Sequence, residues 1–278
     1  MHRQTAYLPL MTYPDTAPDD AILAGVGFAT SLGFDLHATA FAVSIPPVRS
    51  PLGGLLLDIP GLVGATEEKS KAECHRLESL IQSAADSQRD LEMTIRQVVL
   101  GAALDAAAIE ARSYNISVIP WSNTTLVTQD MAQAVVFGSG RPTVLVPPSG
   151  PPASLKHIAI AWDASRVAAR ALWDALPLLA EDGRITILTV RDEKPLSAPN
   201  IAGALAVSLE KRGYSAKALD IDMDERSIAV ALQVSALDAG AQLLAIGGFG
   251  HSRIRDFILG GATMGILTDL RLPALLSH

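Results

Sequence analysis

The chain has 278 residues, 49% of them hydrophobic and 18% charged, with a formal net charge of -7. That length suits one large domain or two of about 140 residues, and the apolar content can build a substantial core. The negative balance and the absence of a Lys/Arg cluster argue against a nucleic-acid groove. The single cysteine, Cys74, excludes an intrachain disulfide and a multi-cysteine metal site.

The apolar residues are mainly Ala, Leu, Ile and Val, which suits helices packed on a parallel sheet. No run reaches the length of an uninterrupted membrane span, and the N-terminal segment lacks a continuous apolar stretch. The expectation is a soluble, cytoplasmic protein with no membrane contact.

In chain order, Tyr7 to Met11 is a short apolar segment, Ala21 to Leu32 reads as a helix and Leu36 to Val43 as a strand. Residues 44–64 are rich in Pro and Gly yet largely apolar, and are expected to form an ordered loop or part of a subunit contact. Thr66 to Ser87 is the longest predicted helix and contains Cys74. Leu91 to Val99 follows as a strand, Ala102 to Ser113 as an Ala-rich helix, and Ile116 to Trp121 as an apolar strand. Thr128 to Phe137 is a predicted helix, and Thr143 to Pro147 a short strand ending in prolines. This alternation is the pattern of a parallel sheet with crossover helices.

Prolines at 147, 148, 151 and 152 then punctuate the chain, and the order begins again. His157 to Trp162 is a strand, Ser165 to Leu179 a helix with Ser165 as its N-cap, and Arg184 to Val190 a strand. Ile201 to Arg212 is a helix that Gly213 can stop, and Ala216 to Ile221 is a strand. Ser227 to Ala239 is a helix ending before Gly240, Gln242 to Gly247 a buried strand, Thr263 to Leu270 a helix, and Pro273 to Leu276 the last strand. The pattern predicts a two-copy repeat of a five-stranded α/β unit. One large doubly wound domain is the alternative.

The stretch 243–261, LLAIGGFGHSRIRDFILGG, is the chemical centre of this pattern. Glycines at 247, 248 and 250 let backbone N–H groups approach and surround an anion, and a following helix N-terminus adds its own free N–H groups. No Gly-Lys-Ser/Thr follows, so this is not a Walker A loop. A plain tight turn is the other reading of the same glycines.

These residues resemble the universal stress protein family, and the whole chain looks like a tandem, two-domain member. Nucleotide-binding members share Gly-x-x-Gly, nine residues, then Gly-Ser/Thr. Gly247, Gly250 and Gly260 match its glycines, while Gly261 stands where Ser or Thr is expected and Thr263 keeps a hydroxyl nearby. The turn at 161–165, AWDAS, resembles the family's Val-Asp-x-Ser turn, and the terminal PALL resembles its Pro-Val-Leu-Val strand.

The resemblance implies two Rossmann-like domains of the adenine nucleotide alpha hydrolase type, each a five-stranded parallel sheet of order 3-2-1-4-5. Residues 1–148 form a degenerate domain and 157–278 the domain with the nucleotide loop. It implies a stress-response protein binding ATP or a related adenine nucleotide, with Mg2+ carried by the phosphates, and at most slow hydrolysis. A scaffold of the same fold that has lost nucleotide binding is the alternative. The candidate ligand residues are Asp163, Gly247, Gly250, His251, Arg253, Gly260, Gly261, Ala262 and Thr263.

The first half offers no glycine between Trp121 and Gly138, and its loop before the last strand is several residues shorter, so its site is expected to be degenerate. The two domains are expected to pack as an intrachain pseudo-dimer through their terminal strands, with a homodimer and an unknown protein partner also in view. Asp163 suits a ribose or adenine contact, but Asp is also a common cap. His251 and Arg253 suit phosphates or plain solvation. The acidic run Asp220, Asp222, Asp224 and Glu225 suits a solvated strand end better than a magnesium site, and Cys74 suits packing. No G-x-S-x-G elbow, HExxH or phosphoryl-transfer lysine supports catalysis.

Overall fold

A computed structural model of the chain describes residues 3–47, 58–84, 90–122, 125–149, 152–191, 200–248, 265–266 and 268–278. Its first half runs β1 (Thr5–Met11), α1 (Asp19–Ser31), β2 (Asp35–Ser44), α2 (Ile59–Ser83), β3 (Leu91–Val99), α3 (Ala103–Ala111), β4 (Ile116–Pro120), α4 (Leu126–Ser139) and β5 (Thr143–Val146). Its second half runs β6 (Leu155–Ala161), α5 (Arg166–Ala175), a 3-10 turn (Leu176–Leu178), β7 (Leu179–Val190), α6 (Ile201–Glu210), β8 (Ser215–Ile221), α7 (Ile228–Asp238), β9 (Leu243–Gly247) and β10 (Ala274–Ser277).

The strands form one ten-stranded sheet of order β3-β2-β1-β4-β5-β10-β9-β6-β7-β8. Each half is therefore a parallel sheet of order 3-2-1-4-5, the Rossmann-like arrangement. The two meet through β5 and β10, which pair antiparallel with Leu275 opposite Val144. Because that one junction is antiparallel, the carboxyl ends of the two parallel sets open on opposite edges of the sheet.

Helices cover both faces. Alternation along the strands sends Leu8 to one face, with Phe28, Leu77, Leu172 and Leu209, and Tyr7 to the other, with Ala107, Val135 and Leu232. Both apolar layers contain residues of the two halves, so the core is continuous across the β5–β10 junction. Burying so many Ile, Leu, Val and Phe side chains stabilises the sandwich by roughly 1.5–3 kcal/mol each.

The local signals explain most boundaries. Ser165 and Ser227 each accept a hydrogen bond from the amide three residues on, at 3.2 and 3.3 Å, and so cap α5 and α7. Gly213 and Gly240 stop α6 and α7 with φ of +89° and +79°, values that favour glycine.

Three elements depart from expectation. Helix α2 begins at Ile59, well before Thr66, because Asp58 accepts from Gly61 N at 3.0 Å and Pro60 sits in the first turn where its missing N–H costs nothing. Helix α5 stops at Ala175, short of Leu179, because Pro177 cannot continue the ladder, and β7 then starts at Leu179 rather than Arg184. Of the helix expected over 263–270, Gly265 and Ile266 are helical, and part of that range lies outside the described residues.

Candidate functional site

In the second half, β6 and β9 lie side by side and parallel, with Ile160 opposite Ala245. From β6 the chain crosses to β7 on one side, and from β9 to β10 on the other. That reversal is a topological switch point, where open α/β sheets have a crevice beyond the strand ends. Asp163 lies two residues past β6, and Gly247 is the last residue of β9.

The turn after β6 is tightly specified. Trp162 continues the ladder by donating its N–H to Leu188 O at 2.8 Å, and Thr189 Oγ1 donates to Trp162 O at 2.9 Å. Asp163 Oδ1 then accepts from Ser165 N at 2.9 Å, across Ala164 at φ +62°. Ser165 Oγ in turn accepts from Ala168 N. Ser165 is thus the helix cap, and half-buried Asp163 closes the turn ahead of it.

Gly247 answers first to packing. A Cβ there would lie 2.5 Å from the carbonyl carbon of Val167 and 2.6 Å from the amide nitrogen of Ala168, so α5 crosses directly on the glycine. Gly248 also departs from the cradle reading. Its N–H already donates to Ser277 O at 2.7 Å, and its carbonyl accepts from His278 Nδ1 at 3.1 Å. An amide so engaged is not a donor for an anion. Gly250, His251, Arg253, Gly260, Gly261, Ala262 and Thr263 lie outside the described residues.

Gln233 is a residue that sequence reasoning missed. Fully buried on α7, it donates from Nε2 to Asp269 O at 2.7 Å and accepts from Arg271 N at 2.8 Å, clamping the segment that leads into β10. A polar residue on the apolar stretch of that helix was its only signal. Gly265 packs against Ala229 of the same helix with no room for a Cβ.

The strand registers allow the first half to be compared position by position. Ala6 pairs with Ile116 as Ile158 pairs with Leu243, so Met11 is the counterpart of Asp163. Val146 pairs with Pro120 as Ser277 pairs with Gly247, so Pro120 and Trp121 are the counterparts of Gly247 and Gly248. Trp121 N donates to Val146 O at 2.8 Å, just as Gly248 N donates to Ser277 O. Trp121 is 2% exposed, so a large buried side chain stands where the second half has a glycine. Met11, Pro120, Thr128 and Met131 line a cavity of about 20 Å³ there, which holds roughly one water. On the other face Ser70 of α2 joins Thr12 Oγ1 at 2.6 Å and accepts from Val43 N at 2.9 Å, fastening the helix over the strand ends.

The remaining candidates sort plainly. Asp220 pairs with Arg191 at 3.0 Å, and Asp224 pairs with Arg226 at 2.9 Å beside Asp222 in a groove of about 400 Å³ between β8 and α7. This groove is separated from the switch point by β7, and among the described residues no cluster of His, Cys, Asp or Glu is arranged to hold a metal. Cys74 is fully buried in α2, and burial pushes its thiol pKa up, as suits a packing role. Tyr7, His37 and Tyr114 stack at the far end of the first half, where Thr39 and Arg96 already bond Glu110 at 2.7 and 3.1 Å. Burial, aided by Glu110, raises Tyr7 well beyond the ordinary phenol range and pushes Tyr114 up to about 12. No helix among the described residues is long and apolar enough to cross a membrane.

No family model matches the chain, and no curated protein matches it. Solved structures do. A universal stress protein from Archaeoglobus fulgidus superposes with a TM-score of 0.68 at 14% identity, over 99% of this chain and 96% of that one. A Pseudomonas aeruginosa protein provisionally assigned as a universal stress protein gives 0.53 at 14% identity, over 99% and 93%. At such identities the likeness establishes the fold, carried over the full length of the chain.

Proposed function

We propose that the chain is a tandem universal stress protein with domains at 1–148 and 157–278, packed as an internal pseudo-dimer, that binds ATP or a related adenine nucleotide in the second domain. The observation that carries this reading is the asymmetry at the two switch points. The second half sets a carboxylate, Asp163, beside glycine-ended β9, whereas the first half has Met11, Pro120 and buried Trp121 at the same positions. In the first half these residues leave a cavity of about 20 Å³, far below the several hundred Å³ of a small-molecule pocket. The Gly-x-x-Gly, nine residues, Gly pattern from Gly247 and the full-length fold likeness support the same assignment.

Asp163 suits the ribose or adenine end, and the loop after Gly248 the phosphates. A divalent ion would come with the phosphates, since the described residues offer no acidic cluster of their own. One carboxylate already engaged by Ser165 N is suited to binding rather than turnover. Binding would alter a surface that a cytoplasmic partner reads.

A second reading, a scaffold without nucleotide, draws on Gly261 in place of a hydroxyl residue and on the Gly248 amide already spent on Ser277. Mass spectrometry of the small molecules released on denaturing the purified full chain separates the two. Adenine nucleotide in near-stoichiometric amount supports the proposal. None released, even after incubation with millimolar ATP and desalting, favours the scaffold.

A further inference from the structure

The sheet ends at β3 on one side and at β8 on the other, and the two edges are finished differently. Strand pairing runs from Tyr7 through His37 to Glu92 on β3, and from its counterpart Ala159 through Thr186 to Lys217 on β8. Glu92 and Lys217 are therefore equivalent positions, as are Arg96 and Ile221. On β3 both charges are spent inside the first half: Glu92 lies 3.3 Å from His37 Nδ1, and Arg96 pairs with Glu110 of α3 at 3.1 Å. On β8 they are not. Among the described residues neither Lys217 nor Asp222, just beyond the strand, has an ion pair, and residues 217–220 are exposed in succession, so both faces of the strand are open. Lys217, Leu219, Ile221 and Asp222 line the groove of about 400 Å³ beside α7. Strands of a parallel sheet are ordinarily covered on both faces, and an uncovered edge is a template for another strand.

We infer that β8 is an interface between two copies of this chain, paired antiparallel about a two-fold axis at Leu219. Backbone direction and charge together fix the register. Ile221 O accepts from Arg191 N at 2.9 Å and so faces β7; by alternation Leu219 and Lys217 face β7 too, and Ala216, Ala218 and Asp220 turn their N–H and C=O groups outward. A two-fold at Leu219 sets Ala218 of each copy against Asp220 of the other, as pairs that exchange both hydrogen bonds. The two Leu219 side chains, each 38% exposed in the single chain, then meet at the closer, non-bonded position. Lys217 of each copy lies opposite Ile221 of the other, next to Asp222. The strand carries opposite charges at its two ends, and an antiparallel copy of itself satisfies both ends at once. The two ten-stranded sheets become one.

The pairing is independent of nucleotide, and the full chain tests it directly. Sedimentation equilibrium of wild type from micromolar to millimolar concentration should show monomer passing into dimer. Lys217→Glu sets carboxylates against each other at both ends and should weaken the dimer by about ten-fold or more. Lys217→Glu/Asp222→Lys, which exchanges the charges, should restore it. Ala218→Pro removes an outward N–H, which a free edge strand tolerates, and puts a ring on the pairing edge. It should stay monomeric, with a urea midpoint near that of wild type. Should Ala218→Pro fail to fold, the charge exchange decides alone. A wild type that remains monomeric at millimolar concentration overturns the inference. So does a dimer that Lys217→Glu leaves intact, or one that the exchanged pair does not recover.

Discussion

Gly247→Ala separates two reasons for a glycine at the end of β9. If the glycine served only to let phosphate approach the backbone, an added methyl group would weaken ligand binding and leave the ligand-free fold untouched. The geometry predicts otherwise. The new Cβ would sit 2.5 Å from Val167 C and 2.6 Å from Ala168 N, and both are helix backbone rather than the end of a flexible side chain. Relief requires α5 to move away from β9. Overpacking of this kind costs about 1–3 kcal/mol, and a backbone obstacle belongs at the upper end. Gly247 does not carry a left-handed φ, so no conformational strain adds to this. The loss of chain freedom in the unfolded state returns about 0.4–1 kcal/mol. The net expectation is roughly 2 kcal/mol of destabilisation, read as a lower urea midpoint in ligand-free protein. Gly248→Ala is the control, since its Cβ would meet nothing closer than Ser277 O at 3.4 Å. An unfolding midpoint for Gly247→Ala equal to wild type would refute the packing argument.

Three further outcomes follow from single side chains. Burial first, and the Arg184 cation second, lower the His157 pKa from its usual 6.5, so the unfolded chain takes up this proton more readily than the folded one. Stability present above pH 6.5 should therefore decline as pH falls below that value, and His157→Gln should show a smaller decline in urea midpoint over the same range; parallel profiles would count against it. Ser165→Ala removes the α5 cap and should cost about 1 kcal/mol in the same assay. Trp121→Ala deletes an indole that is 2% exposed and should cost about 3–5 kcal/mol, while ATP stoichiometry stays at one per chain.

Much of the fold is legible because its signals are local. Apolar runs such as Leu243–Gly247 mark central strands, and Ser165, Ser227, Gly213 and Gly240 mark helix ends by chemistry that acts within a few residues. The start of α2 is hidden by Pro60, Gly61 and Gly64, which read as a loop until Asp58 is seen to cap them. The start of β7 is hidden by Gly183, which is buried, and by Glu181 and Asp182, whose polarity belongs to an exposed strand end.

At the candidate site, Asp163 and Gly247 are readable as the ends of two strands. Their neighbours are not. That Gly247 is held against α5, that Gly248 gives its N–H to Ser277, and that Trp121 occupies the position of Gly248 all depend on contacts between segments distant in sequence. A glycine in sequence records that space is short, but not whether a ligand or a helix takes it.

The most direct test of the account is a calorimetric titration of the full chain with ATP, with and without magnesium, beside the Asp163→Ala variant. The account predicts one site per chain in the wild type, and a large loss of affinity in the variant. Two equivalent sites would contradict the closed first crevice, and no heat up to millimolar ATP would contradict nucleotide binding altogether.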